Sequence, residues 1–348
     1  MMDGAVRAHV QVRRVAVPLH IVRRTAAPHA ADASVQTLAG KTMGTRWSVK
    51  LVAPAGEPLH AVQAAIEMTL DRIVAQMSTY EAQSDISRFN RAPAGTCQVL
   101  PDEFFRVLQY ALEVARDSDG AYDPTVGSLV GLWGFGALGQ RFAIPSMDEI
   151  AALRGTCGWD RIQLDKTHRT ATQPGGIHLD LSSVAKGFAV DRVAEVLRDL
   201  GCTDFLVEVG GELRGAGVKP DGLPWWVALE RPPTPDGLAS ISDIVIALND
   251  LAVATSGSAE HFFDAGGHRY SHTIDPRSGA PVAHDLVSVS VLHRECMHAD
   301  ALATALSVLG PEEGMAHAER LGLAARFVSA GRDGLRERLT PRLAAMLA

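Results

Sequence analysis

DLSSVAKGFAVDRVAEVLRDLG, residues 180–201, followed by CTDFLVEVGG, residues 202–211, is the stretch whose reading decides the fold. In the first part Leu181, Val184, Phe188, Val193, Val196 and Leu200 recur mostly at three- and four-residue spacing, the stripe of an amphipathic helix. Gly201 supplies the left-handed residue that commonly stops a helix. Phe205 to Val209 then reads as a strand. Gly210-Gly211 after it suits close backbone approach to a ligand, or a bulge.

Working outward, the chain toward its start is mainly helical. Arg46 to Val52 alternates as a strand. Leu59, Val62, Ile66, Leu70 and Ile73 mark one face of a helix, and Ser78 to Pro93 reads as a polar loop. A second helix spans about Pro101 to Arg116, with Phe105, Leu108 and Leu112 inward. Asp123 to Gly139 is glycine-rich, and Ser146-Met147-Asp148-Glu149 is a capping box opening a short helix that ends at Gly155. Toward the other end, Trp226 to Leu229, Ile244 to Leu248 and Val287 to Leu292 are strand-like between Gly and Pro turns. A helix from about His298 to Leu309 stops at Gly310. Blocks of helix and strand without strict alternation predict an α+β architecture.

The 348 residues suffice for one large domain or two lobes, with 47% hydrophobic and 21% charged residues, an ordinary globular balance. A net charge of -7 argues against a nucleic-acid partner. No run of about 18 apolar residues predicts a membrane span. Cys97, Cys157, Cys202 and Cys296 lack metal or redox spacing and read as small buried thiols. Residues 1–36 carry five arginines, Arg7, Arg13, Arg14, Arg23 and Arg24, with Pro and His breaking every apolar run. They read as a mobile basic tail, since 15–22 make a poor signal core. With no lipoprotein cysteine near the start, the expectation is a soluble protein, the cytoplasm favoured and the periplasm open.

Several segments carry chemistry-bearing residues. Asp300 and Thr304 lie four apart on one helix, so both side chains share a face. Hard oxygen ligands of this kind suit Mg²⁺; equally, an Asp in a first turn favours the helix dipole, and a Thr can bond back to the preceding turn. The helix start around Asp180 offers free N–H groups, with Lys186 about two turns in. This is an anion site, or an ordinary capped helix with an exposed lysine. His272 precedes the turn Asp275-Pro276-Arg277-Ser278-Gly279 and reads as a general base or a structural histidine. Residues 134–139 match GxGxxG in letters, but no helix opens there, so the dinucleotide reading is rejected.

The order of the motifs says more than any one of them. Met43-Gly44-Thr45 is followed by Met77-Ser78-Thr79-Tyr80 and Ser84-Asp85-Ile86-Ser87-Arg88-Phe89-Asn90. Then come Tyr122-Asp123-Pro124-Thr125-Val126-Gly127, Leu132-Trp133-Gly134, Asp180 to Asp191, Gly210-Gly211 and Thr255-Ser256-Gly257. His272 to Gly279 and Asp300-Ala301-Leu302-Ala303-Thr304 complete the series. From Met43 to about Gly310 it resembles the ApbE-type flavin transferases.

That resemblance implies a two-lobed α+β fold with mixed sheets and flanking helices, and an FAD cleft between the lobes. It implies a flavin transferase domain over residues 37–330, leaving 331–348 as a helical extension. Met43, Tyr80, Ala121, Tyr122, Asp123, Asp180, Lys186 and Ile274 match positions that contact FAD. Asp300, Thr304 and the carbonyl of Ser183 match ligands of Mg²⁺, and His272 matches the proposed base. The implied activity moves FMN from FAD to a Thr or Ser hydroxyl of a target flavoprotein, such as a respiratory-complex subunit, releasing AMP. An FAD pyrophosphatase and a non-catalytic FAD carrier are the alternatives. Ser182-Ser183 stands where the family commonly has smaller residues, which alters the surroundings of the metal.

Overall fold

The computed structural model describes residues 13–19, 29–137, 139, 141, 143–233, 240–257 and 262–347. Its centre is an eight-stranded sheet: β1 (Ala33–Thr42), β2 (Thr45–Pro54), β3 (Phe205–Val209), β4 (Glu212–Ala216), β5 (Leu251–Gly257), β6 (Leu286–His293), β7 (Ala324–Gly331) and β8 (Gly334–Leu339). The spatial order is the chain order, and every neighbouring pair is antiparallel. The other elements are insertions between consecutive strands, except a strand at Arg14–Ala16 before the sheet and a short helix at Pro341–Ala344 after it. Four long helices are α1 (His60–Met77), α2 (Asp102–Asp117), α3 (Ala185–Asp199) and α4 (Cys296–Arg320).

Period-two alternation divides the sheet between two cores. Val49, Leu51, Phe205, Val207, Ala252, Ala254, Val289, Val291 and Phe327 face the helices, where they meet Ile66, Phe104, Phe188 and Leu306. Val52, Leu206, Leu213, Val253 and Leu292 face the opposite side, against Trp225, Ile244 and Ile246 of a three-stranded sheet. Burying a side chain of the size of Phe188 or Phe205 contributes about 1.5–3 kcal/mol. A third, smaller core joins Leu129, Trp133, Ile150, Phe263 and Ile274. The α+β expectation holds. The mixed sheet is the three-stranded one, parallel at Arg14–Ala16 against Ile244–Ile246 and antiparallel between Ile244–Leu248 and Trp225–Ala228.

The structure departs from the sequence reading at both ends. Of residues 1–36, expected as a mobile tail, Arg14–Ala16 form a strand and β1 starts at Ala33. Arg14 pairs with Glu337 at 2.5 Å, Ala16 is fully buried, and the Val17 N–H donates to Met346. Residues 331–348, expected as helical, hold β8 and only a short helix, Pro341–Ala344, capped by Thr340. The alternation of Leu335, Arg336, Glu337 and Arg338 is that of a strand, and pairing to β7 realises it. Within the expected loop 78–93 there is a helix, Asp85–Arg91, capped by Ser84. Glycines 134 and 136 lie in a turn without a following helix, whereas Leu138 falls outside the described residues. No described helix is long and apolar enough to cross a membrane.

All four cysteines are free, and Cys97 is exposed, against the expectation of buried thiols. Burial pushes the Cys157 thiol up to about 12 and raises Cys202 and Cys296 as well. Because the thiolate is the reactive form, iodoacetamide at pH 8 should label Cys97 first, with Cys157 at least about tenfold slower. Peptide mass mapping against time checks this, and comparable rates would contradict the described burial.

Candidate active site

The site is built where α3 and α4 approach each other. Gly187 makes that approach possible. A Cβ there would lie 2.4 Å from the Cys296 carbonyl oxygen and 2.7 Å from Asp300 Cβ. With hydrogen in its place, the Gly187 N–H donates to Asp300 Oδ2 at 2.9 Å. Position 187 lies in the first turn of α3, whose N–H groups find no carbonyl partner within the helix, and the Asp300 carboxylate satisfies this one. Ser183 lies just before that turn. Asp300 is 5% exposed; burial raises its carboxyl, opposed by the Lys186 charge and the Gly187 N–H. Thr304, half-buried, follows one turn later on the same face of α4.

The start of α3 is tied down from several sides. The Asp180 carboxylate accepts from the Ser182 N–H at 2.8 Å, and the Asp180 N–H donates to Pro124. Asn90 uses both ends of its amide on the backbone of Leu179, at 2.7 and 2.9 Å, which explains the Asn at the end of the SDISRFN block. Ser183 Oγ donates to the Tyr122 hydroxyl at 3.1 Å. Tyr122 is buried; burial chiefly raises its pKa, with the charges of Asp300, Asp180 and Asp123 adding to it. Tyr80, 68% exposed, is raised by partial burial and then by Asp180.

Two crossed ion pairs join α3 to β4. Lys186 Nζ donates to Glu212 Oε1 at 2.5 Å, and Arg214 pairs with Asp191. The spacings match, because five helical residues rise about 7.5 Å and two strand residues about 6.6 Å. Asp191 also accepts from the N–H groups of Cys296 and Met297, at 3.0 and 2.9 Å, and so caps the start of α4. Burial would lower the Lys186 pKa, but Asp300 and then Glu212 outweigh it and raise it. Burial, reinforced by the Asp300 charge, pushes Glu212 up to about 8 against the pull of Lys186.

Met43 sits at the tip of the β1–β2 hairpin with φ 49°, followed by Gly44 at φ 70°, the two-residue turn that matches strand twist. It lines a cavity of about 850 Å³ together with Lys41, Arg46, Glu208, Gly210 and Gly211. That volume lies within the usual range for small-molecule sites, about 300–1,000 Å³. A Cβ on Gly210 would come within 3.3 Å of Lys186 Cδ, so this cavity adjoins the lysine.

Tyr80, Tyr122, Asp180, Ser183, Lys186 and Asp300 therefore come together in one network. His272 and Ile274 stand in the smaller core. His272 lies edge-on to Phe135 at 6.3 Å between centroids, and Ile274 packs with Leu129, Trp133 and Phe263. Ala121 is fully buried. Asp123 already accepts from the Thr125 N–H and hydroxyl and from the Trp159 N–H, so from these two positions it is backbone that can meet a ligand. Sequence reasoning passed over Glu212 and the packing role of Gly187. The available signal was an acid and a base, Glu212 and Arg214, alternating on a strand whose neighbours are apolar.

Among the described residues no cluster of three or more His, Cys, Asp or Glu can hold a metal. The donors present are one carboxylate with hydroxyl and carbonyl oxygens. This fits Mg²⁺, which keeps few protein ligands and takes the rest from water and phosphate; it does not fit zinc. Gly187→Ala should lower stability by at least about 1–3 kcal/mol through overpacking between α3 and α4, measured by urea denaturation. An unchanged midpoint would mean that the helices separate freely and that Asp300 is not held by this contact.

Comparison with known proteins agrees with this architecture. The ApbE family model matches residues 43–327. The FAD:protein FMN transferase of Vibrio cholerae is 37% identical over 301 residues, 86% of this chain and 89% of the relative. That of Haemophilus influenzae is 38% identical over 306 residues, covering 85% and 87%. The apo crystal structure of the Pseudomonas stutzeri flavinyl transferase ApbE superposes with a TM-score of 0.83 at 38% identity, covering 90% of this chain and 97% of that one. This chain belongs to the ApbE family.

Proposed function

We propose that this protein is an FAD:protein FMN transferase that uses Mg²⁺ to move FMN from FAD onto a Ser or Thr hydroxyl of a target flavoprotein, releasing AMP. The observation that carries the reading is the Gly187 N–H bonded to Asp300 Oδ2. It holds a buried carboxylate of α4 against the start of α3, where Ser183, Tyr122, Asp180 and Lys186 also meet. The relatives named FAD:protein FMN transferase support the same substrate and a protein acceptor.

Asp300, Thr304 and the Ser183 carbonyl are the residues that would hold the cation. Bound there, Mg²⁺ would neutralise charge on the pyrophosphate oxygens. Lys186 and the N–H groups at the start of α3 bind phosphate oxygens. Tyr80, exposed over Asp180, offers a ring face to the flavin. Met43, Tyr122, Ala121, Asp123 and Ile274 line the remaining contacts. His272 takes the proton of the acceptor hydroxyl. The hydroxyl oxygen bonds to the FMN phosphorus, the pyrophosphate P–O bond breaks, and its electron pair leaves with AMP. The acceptor is a flavin-carrying subunit, of a respiratory complex for example.

Incubation with FAD, Mg²⁺ and a small acceptor domain, followed by intact mass, tests this. An FMN adduct on the acceptor that is lost in Asp300→Ala is the expected result. AMP without an adduct would assign water as the acceptor and make the protein a pyrophosphatase, and bound FAD with neither product would make it a carrier. His272→Ala should slow transfer by about 10²–10⁴-fold while FAD affinity, read by fluorescence, stays nearly constant. A large loss of affinity with unchanged turnover would remove His272 from the role of base.

A further inference from the structure

The Lys186 ammonium feels two carboxylates, Asp300 and Glu212, and is bonded to one of them: Nζ lies 2.5 Å from Glu212 Oε1. Glu212 is well placed to keep it there. It opens β4 directly after the left-handed pair Gly210 and Gly211, φ 60° and 100°, and is 2% exposed. Gly210 packs close to the lysine stem on the same side. The second carboxylate oxygen, Oε2, is buried without a hydrogen-bond partner. Such an oxygen is expensive to bury, and a side chain that served packing alone would do better as an apolar or fully bonded group. The Glu212 side chain therefore has a purpose beyond filling the space under α3, and its one bonded oxygen is the one that holds Lys186 Nζ.

Weakening that contact has a predictable consequence. Asp300 would be the remaining carboxylate coupled to Lys186 in this network, in a site buried enough for the attraction to be strong. An ammonium drawn onto Asp300 would compete with any cation for the same oxygen. We propose that Glu212 is a positioning residue that tethers Lys186 away from Asp300 and so keeps that carboxylate open to a divalent cation. This rests on the reading of Asp300 as a metal ligand given above.

The test is Mn²⁺ binding to the full chain, followed by the electron paramagnetic resonance of free Mn²⁺ without turnover. Glu212→Gln, which replaces one carboxyl oxygen by an NH₂ group that repels the ammonium, should weaken binding about tenfold. Lys186→Met should bind at least as tightly as the wild type. The double variant should recover to within about threefold of the wild type, because the competing ammonium is gone. A structural role for Glu212 would give no such recovery. Unchanged binding in Glu212→Gln, or a double variant as weak as Glu212→Gln, overturns the proposal. Thermal melts accompany each variant. Should Glu212→Gln fail to fold, the Lys186→Met arm decides, and weaker binding there overturns the proposal. If the wild type binds no Mn²⁺, or Asp300→Ala binds it equally well, the metal reading of Asp300 falls and this inference with it.

Discussion

One hydrogen bond, from the Gly187 N–H to the Asp300 carboxylate, sets the geometry of the site. It exists because position 187 has no Cβ, so the backbone of α3 can close on Cys296 and Asp300. The bond orients a buried carboxylate and satisfies an N–H of the first turn of α3 that has no carbonyl partner within the helix. Two segments more than a hundred residues apart are thereby joined at the site. A close-packed interior transmits such a constraint without slack, which is why one missing methyl group governs the arrangement of a cleft.

The charges around this contact are arranged in layers. Asp191 caps α4 with two N–H bonds and pairs with Arg214, fixing the helix that carries Asp300 and Thr304. One turn and a half earlier on α3, Lys186 meets Glu212 with the signs reversed. Buried ion pairs contribute little net stability once desolvation is counted. Their effect here is on position: they fix how α3 lies across β4, and so where the lysine and the start of α3 point. The aromatic core beside His272 and Ile274 is held together by Trp133 Nε1 donating to the Gly279 carbonyl, and the Val126–His178 bridge ties it to the segment leading into α3.

Much of this was legible along the chain. The stripe from Leu181 to Leu200 is helix α3 from Ala185 onward, and the alternation at Phe205 to Val209 and Val287 to Leu292 corresponds to β3 and β6. Gly310 does end helical geometry, at φ 83° and ψ −174°, although a second helical segment continues to Arg320. The ordered motifs pointed to the family that the comparisons bear out. Other features left no local trace. Arg14 looks like part of a basic tail until Glu337, more than three hundred residues later, gives it a partner. Asp123 is a lone acid in a glycine-rich stretch until Thr125 and Trp159 are seen to donate to its oxygens.

The elements and the available chemistry can be read along the chain, because side-chain periodicity and turn residues act over a few positions and the motifs keep their order in any fold. Which groups face one another follows from the packing of the folded chain. Whether Lys186 pairs with Glu212 or Asp300, whether a carboxylate is buried or solvated, and whether a glycine is a hinge or a point of contact depend on helices and strands distant in sequence. Electrostatic and packing energies fall off over a few ångströms, and which residues lie within those ångströms is set by how α3 and α4 pack across the sheet.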